Sequence, residues 1–154
     1  HAITRLSSLL RESINLGKLE VIGLQQELEL VRSYLDLEQM RFEERLSVET
    51  EIDPGSNRCE IPPLMVQTIV ENAIKHGISK SIDGGVILIK SSYKEKELVL
   101  DIANTGRLDL TEASKGIGIE NSRKRLEILF GDKASLDIKQ DGDLVRVLVK
   151  IIYT

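Results

Sequence analysis

One segment, Pro63-Leu-Met-Val-Gln-Thr-Ile-Val-Glu-Asn-Ala-Ile-Lys-His-Gly77, constrains this chain more than any other, because its length and apolar content ask for a buried helix. Pro62 and Pro63 sit where proline is tolerated, in a helix's first turn. At 3.6 residues per turn, Gln67, Glu71 and Lys75 form one row and Asn72 and His76 the adjacent one. Val66, Ile69, Val70, Ala73 and Ile74 form the opposite face, suited to a core. A carboxylate, an amide and a cation side by side can hold a metal-bound phosphate. The same pattern also fits an ordinary amphipathic helix with a solvated polar stripe.

The 154 residues fit one domain with a helical attachment. With 41% apolar residues, 3% aromatics and no Trp, the core has to be aliphatic, and base-stacking platforms are missing. A net charge of −4 without a basic cluster argues against a nucleic-acid binder. Cys59 is the single cysteine, which rules out a disulfide framework and fits a reducing compartment. No apolar run reaches the ~20 residues of a membrane helix, and no signal peptide is visible. The absence of an initial Met makes a piece of a longer protein the expectation.

Around the central segment, periodicity predicts helices over 2–16 and from Leu24 to about Glu43. The first carries Ile3, Leu6, Leu10 and Ile14 on one stripe. The second carries two stripes, through Leu24, Leu28, Val31, Leu35 and Phe42 and through Leu30, Tyr34 and Leu37, so it must bury against two surfaces. Strands are expected over 46–52, 86–92, 97–103, 135–139 and 144–152, the last two joined by an Asp141-Gly142 turn. Residues 104–115 read as a loop, and a helix follows from about Gly118 to Phe130, closed by Gly131. The expected class is α+β: a two-layer sandwich, its mixed, mostly antiparallel sheet covered by helices on one face.

Two further motifs bear on chemistry. In Lys115-Gly-Ile-Gly-Ile-Glu-Asn-Ser-Arg-Lys-Arg-Leu126, Gly116 and Gly118 leave bare backbone at a helix start, where N–H groups and the dipole suit an anion. Glycines also simply end loops. Asn121 stands where a dinucleotide fingerprint has its third glycine, and no strand precedes it. Leu100-Asp-Ile-Ala-Asn-Thr-Gly106 runs a strand into a turn, where Asn104 can read a base edge or merely serve the turn.

Together, Glu71-Asn72 with Lys75-His76, Asn104-Thr-Gly106, and Gly116-Ile-Gly118 resemble the N, G1 and G2 boxes of the GHKL superfamily. The helix Glu29-Leu-Val-Arg-Ser-Tyr-Leu-Asp-Leu-Glu-Gln-Met-Arg-Phe42 and the segment Leu6-Ser-Ser-Leu-Leu-Arg11 are similar to LytS-type sensor histidine kinases, so the resemblance covers nearly the whole chain. It implies the Bergerat fold, ATP and Mg²⁺ as cofactors, and transfer of the γ-phosphoryl group to a histidine for relay to a response regulator protein. It implies three regions: 1–22 as the end of the dimerisation and phosphoacceptor region, 23–44 as a linking helix and 45–154 as the catalytic ATP-binding domain.

The resemblance also assigns residues. Asn72 takes the Mg²⁺, Glu71 the catalytic acid–base role, and Lys75 and His76 approach the phosphates. Gly116 and Gly118 let a short lid over 107–115 wrap them, and Asn121 and Arg125 fit the pattern that follows. Asn104 and Gly106 stand in the adenine-reading box, where Asn104 replaces the usual Asp and Leu108 stands near the place of a missing glycine. The phosphoacceptor histidine is expected outside this sequence, and the parent to be a homodimer in the cell membrane with this part cytoplasmic and touching neither membrane nor nucleic acid. A degenerate nucleotide-binding docking or dimerisation module without kinase activity is the alternative. A third reading is an ATPase in which Glu71 activates water.

Overall fold

The computed structural model describes residues 2–16, 18, 20–108 and 117–154. His1, Gly17, Gly116 and most of the expected lid, 109–115, lie outside the described residues.

Helix α1 (Ala2–Leu16) forms where periodicity places it. Leu6, Leu10 and Ile14 are exposed, while Leu9 joins the core. A helix lying against one neighbour buries a narrow line of side chains; here α1 leans on α2 (Leu24–Phe42), with Arg5 Nη2 3.3 Å from Asp36 Oδ2. Helix α2 is covered on two sides, as its double stripe requires, by α1, by helix α3 (Met65–His76) and by the sheet. Leu24, Leu30, Val31, Leu35 and Phe42 are buried, and Leu28, Tyr34 and Leu37 pack partly against the core.

Strand β1 (Ile22–Gly23) precedes α2 and pairs antiparallel with β3 (Glu60–Ile61), a ribbon too short to carry a sequence period. The main sheet contains β2 (Leu46–Ile52), β4 (Gly85–Lys94), β5 (Glu97–Thr105), β6 (Ala134–Asp141) and β7 (Leu144–Ile152), in the order β2-β4-β5-β7-β6. Among the described residues, only β2 and β4 of this sheet pair in parallel, their connection passing through α3; the other three pairings are antiparallel. Helix α4 (Ile117–Phe130) enters between β5 and β6. The inward rows Ile87 and Ile89, Leu98, Leu100 and Ile102, and Val147, Val149 and Ile151 meet Val66, Ile69, Val70 and Ala73 of α3 and Leu126 of α4 in one aliphatic core. The fold is the expected α+β two-layer sandwich.

Two local differences follow from backbone geometry. Strand β5 continues through Asn104 and Thr105, because both remain paired with β7, so Asn104 is a strand residue rather than the first of a loop. Asp141 still pairs with Leu144, which moves the last hairpin's turn to Gly142-Asp143, with Gly142 at φ 60°.

Asp53 closes the turn after β2. Its Oδ2 accepts from Tyr93 N at 2.8 Å and its Oδ1 from Gly55 N at 2.9 Å. These bonds favour the ionised form and hold the carboxyl below its ordinary value of 3.8. A depressed pKa contributes stability that is present above the ordinary value and lost as pH falls through the lower folded one. Asp53→Asn is therefore expected to melt below wild type at neutral pH and to converge with it in acid, as checked by thermal melts across that range.

Candidate functional site

A cavity of about 410 Å³ opens between the C-terminal half of α3, the end of β5, the strands β6 and β7, and the start of α4. Ile69, Ala73, Ile102, Ile119, Val145 and Val147 give it apolar walls, while Asn72, His76 and Asn104 supply polar groups. An apolar slot with a few convergent polar atoms is the usual form of a small-molecule site.

Each polar group has a structural reason to be there. Asn104 continues the inward row of Leu98, Leu100 and Ile102, which places it, 7% exposed, beneath α3. Its Nδ2 donates to Thr105 O at 3.0 Å, so the amide oxygen is the acceptor left over. Directly above lies Gly77, where a Cβ would stand 2.2 Å from Asn104 Nδ2, 2.7 Å from Ala73 O and 2.9 Å from Thr105 O. Only a bare Cα lets the end of α3 lie this close to β5. Gly106 also lines the cavity, and the chain leaving it is held by Gln140: Nε2 donates to Gly106 O at 3.0 Å and Oε1 accepts from Leu108 N at 2.7 Å. Gln140 gives no sign in the sequence, being one polar residue on an edge strand.

The two polar rows of α3 part company. Asn72 and His76 line the cavity, together with Lys80 and Ser81 just beyond the helix. Gln67 is buried and donates to Glu71 Oε1 at 2.9 Å. That row faces α2, where burial first, then the charges of Glu38 and Glu71, push the Tyr34 hydroxyl's pKa upward. Glu71, Lys75 and Asn121 are exposed and do not line the cavity. Gly118 is not in the lining either; a Cβ there would meet Thr68 Cγ2 at 2.6 Å, so it lets α4 close against α3. Gly116 lies outside the described residues.

Glu27 carries no mark in the sequence. It is fully buried on α2 and binds the first turn of α3, and no heptad or strand rule marks a charge for burial. Burial raises its pKa against the opposing pull of the Gln67, Leu64 and Val66 N–H groups. Among the described residues, no cluster of three or more His, Cys, Asp or Glu side chains could hold a metal ion. The residues present instead fit Mg²⁺ arriving with phosphates, since that ion keeps several waters and Asn72 adds one hard oxygen. No helix among the described residues is long and apolar enough to cross a membrane.

A family model described as histidine kinase matches residues 1–46. The sensor protein LytS of Staphylococcus saprophyticus is 32% identical over a gapped alignment of 164 positions that covers 98% of this chain and 28% of that protein. The chain is homologous to one part of the LytS-type sensor histidine kinases. A second relative, the sensor histidine kinase BtsS of Escherichia coli K12, is 34% identical over 80% of this chain and 22% of its own length. The chain thus spans about a quarter of the curated relatives it matches. Among solved structures, the catalytic domain of histidine kinase ThkA superposes with a TM-score of 0.66 at 15% identity, covering 86% of this chain and 95% of that one. ThkA has also been solved in complex with a response regulator protein, TrrA. The cavity therefore sits within a fold shared with the catalytic domain of ThkA.

Proposed function

We infer that this chain is the ATP-binding catalytic part of a sensor histidine kinase. One observation carries the reading: the oxygen-bearing side chain of Asn72, His76 and the leftover acceptor of Asn104 converge on a single apolar cavity. An apolar slot takes a purine, and an acceptor at its end suits the adenine amino group. Asn72 would hold Mg²⁺, which neutralises phosphate charge when bound. His76 stands where it can approach the phosphates. Lys75, Gly106, Gly116, Gly118 and Asn121 complete the proposed nucleotide contacts.

The proposed reaction breaks the bond between Pγ and the β,γ-bridging oxygen, forms an N–P bond to a histidine outside these residues, and releases ADP. The histidine's proton needs an acceptor, and Glu71, exposed and adjacent to Asn72 in the chain, is the proposed one. Positioning carries most of the catalysis in such a transfer. In the parent protein, 1–22 would end the dimerisation and phosphoacceptor region, 23–44 would link and 45–154 would bind ATP. A homodimer anchored in the membrane, with this part cytoplasmic, and a response regulator as recipient belong to the same proposal, the last supported by the ThkA complex.

Calorimetric titration of ATP and GTP into wild type and Asn104→Ala tests it. Wild type is expected to bind ATP in preference to GTP, whose exocyclic O6 carbonyl meets an acceptor with an acceptor. Asn104→Ala is expected to weaken ATP by roughly tenfold and to flatten that preference, as loss of one buried hydrogen bond does. Wild type that binds neither nucleotide would favour a docking module without kinase activity, a reading that the substitution of Asn104 in the adenine box also supports.

A further inference from the structure

Helix α3 has no cap of its own. Leu64, the residue before it, sits in the left-handed region at φ 66° and ψ 9° and offers no side-chain acceptor. Pro62 and Pro63 have no N–H to place. The donors that a helix start leaves over go instead to α2. Leu64 N donates to Glu27 Oε1 at 2.9 Å, and Gln67 N donates to Glu27 Oε2 at 3.1 Å. Met65 N reaches Pro62 O at 3.4 Å, and Thr68 N to Leu64 O at 2.9 Å begins the helix's own ladder.

A local Ser, Asp or Asn is the ordinary way to cap a helix and costs little. Glu27 is the expensive way: a carboxyl at 0% exposure, supplied from 37 residues upstream of Leu64. What it adds is a fixed link between two helices. At the other end α3 is seated on β5 by Gly77, so the helix is held at both termini. Asn72 lies five residues beyond Gln67, about 7.5 Å along the axis. A slide or rotation of the first turn therefore reaches the cavity almost undiminished.

We propose that Glu27 is a positioning residue for the nucleotide cavity: its grip on α3 sets the height and rotation at which Asn72 and His76 enter. This rests on the ATP-binding reading above. The test uses Glu27→Gln, which replaces one acceptor with a donor, and Glu27→Asp, which keeps the charge but shortens the reach by about 1.5 Å. Leu30→Ala, on the same helix and 1% exposed, is the control that lowers stability without touching these bonds. Two readouts are taken well below each melting temperature: Mg·ATP affinity, and the Asn72 side-chain amide resonance without nucleotide.

Both Glu27 variants are expected to weaken Mg·ATP by about fivefold or more and to move the Asn72 resonance, with Leu30→Ala leaving both unchanged. If Glu27→Gln does not fold, Glu27→Asp decides. Glu27 variants that melt lower yet match wild type in affinity and resonance would make the carboxylate a structural cap only. Wild type that binds no nucleotide sinks the ATP reading, and the Asn72 resonance then still decides whether Glu27 positions α3.

Discussion

Asn72→Ala is expected to abolish the Mg²⁺-dependent part of ATP binding, weakening the Mg·ATP complex by about 100-fold, or about 2.8 kcal/mol at 1.4 kcal/mol per decade. Asn72 lines the cavity, and no acidic cluster among the described residues could take over a divalent ion. Alanine is a good helix former and Asn72 is only half-buried, so α3 should survive the change. Calorimetry with Mg²⁺ and with EDTA separates the two contributions. Wild type should lose affinity in EDTA, while the variant should bind equally weakly in both. A variant that still binds tighter with Mg²⁺ would place the ion elsewhere.

Gly77→Ala is the second large effect, and it acts through the fold. The added Cβ meets the Asn104 amide at 2.2 Å and two backbone carbonyls at 2.7 and 2.9 Å. The carbonyls cannot rotate away, because one belongs to α3 and the other to paired β5. Overpacking of this kind costs about 3 kcal/mol, which lowers the melting temperature of a chain this size by roughly 6–12 °C. ATP affinity should fall with it, since Asn104 must shift to admit the methyl. Gly77→Ala that melts and binds like wild type would mean the α3–β5 contact is looser than described.

The helical segments and the five main strands were legible because each follows its own short period. The aliphatic face of α3 lies in the core as its spacing predicts. Asn72, His76, Asn104 and Gly106 could be picked out in advance, and all four line one cavity. Less legible was the burial of α1, where Leu6, Leu10 and Ile14 share a stripe that points outward. Spacing says which side chains share a face; it does not say whether anything lies against that face. The two-residue strands β1 and β3 escaped for a simpler reason, since two residues cannot display an alternation.

Local spacing and long-range packing meet at α3. Its apolar face and two polar rows follow from spacing alone, because an i, i+4 repeat on a 3.6-residue turn leaves no other arrangement. What each polar row does depends on the elements packed against it. Once α2 lies beside α3, the Gln67–Glu71 row is turned towards a neighbouring helix, and the Asn72–His76 row is left to meet β5 across the cavity. The same placement makes Glu27, an unremarked acid on an amphipathic helix, the partner of two backbone donors 37 and 40 residues further on. Local sequence fixes the phase of side chains around a helix axis, whereas a buried carboxylate is stable only when a specific set of N–H groups is delivered to it from elsewhere in the chain.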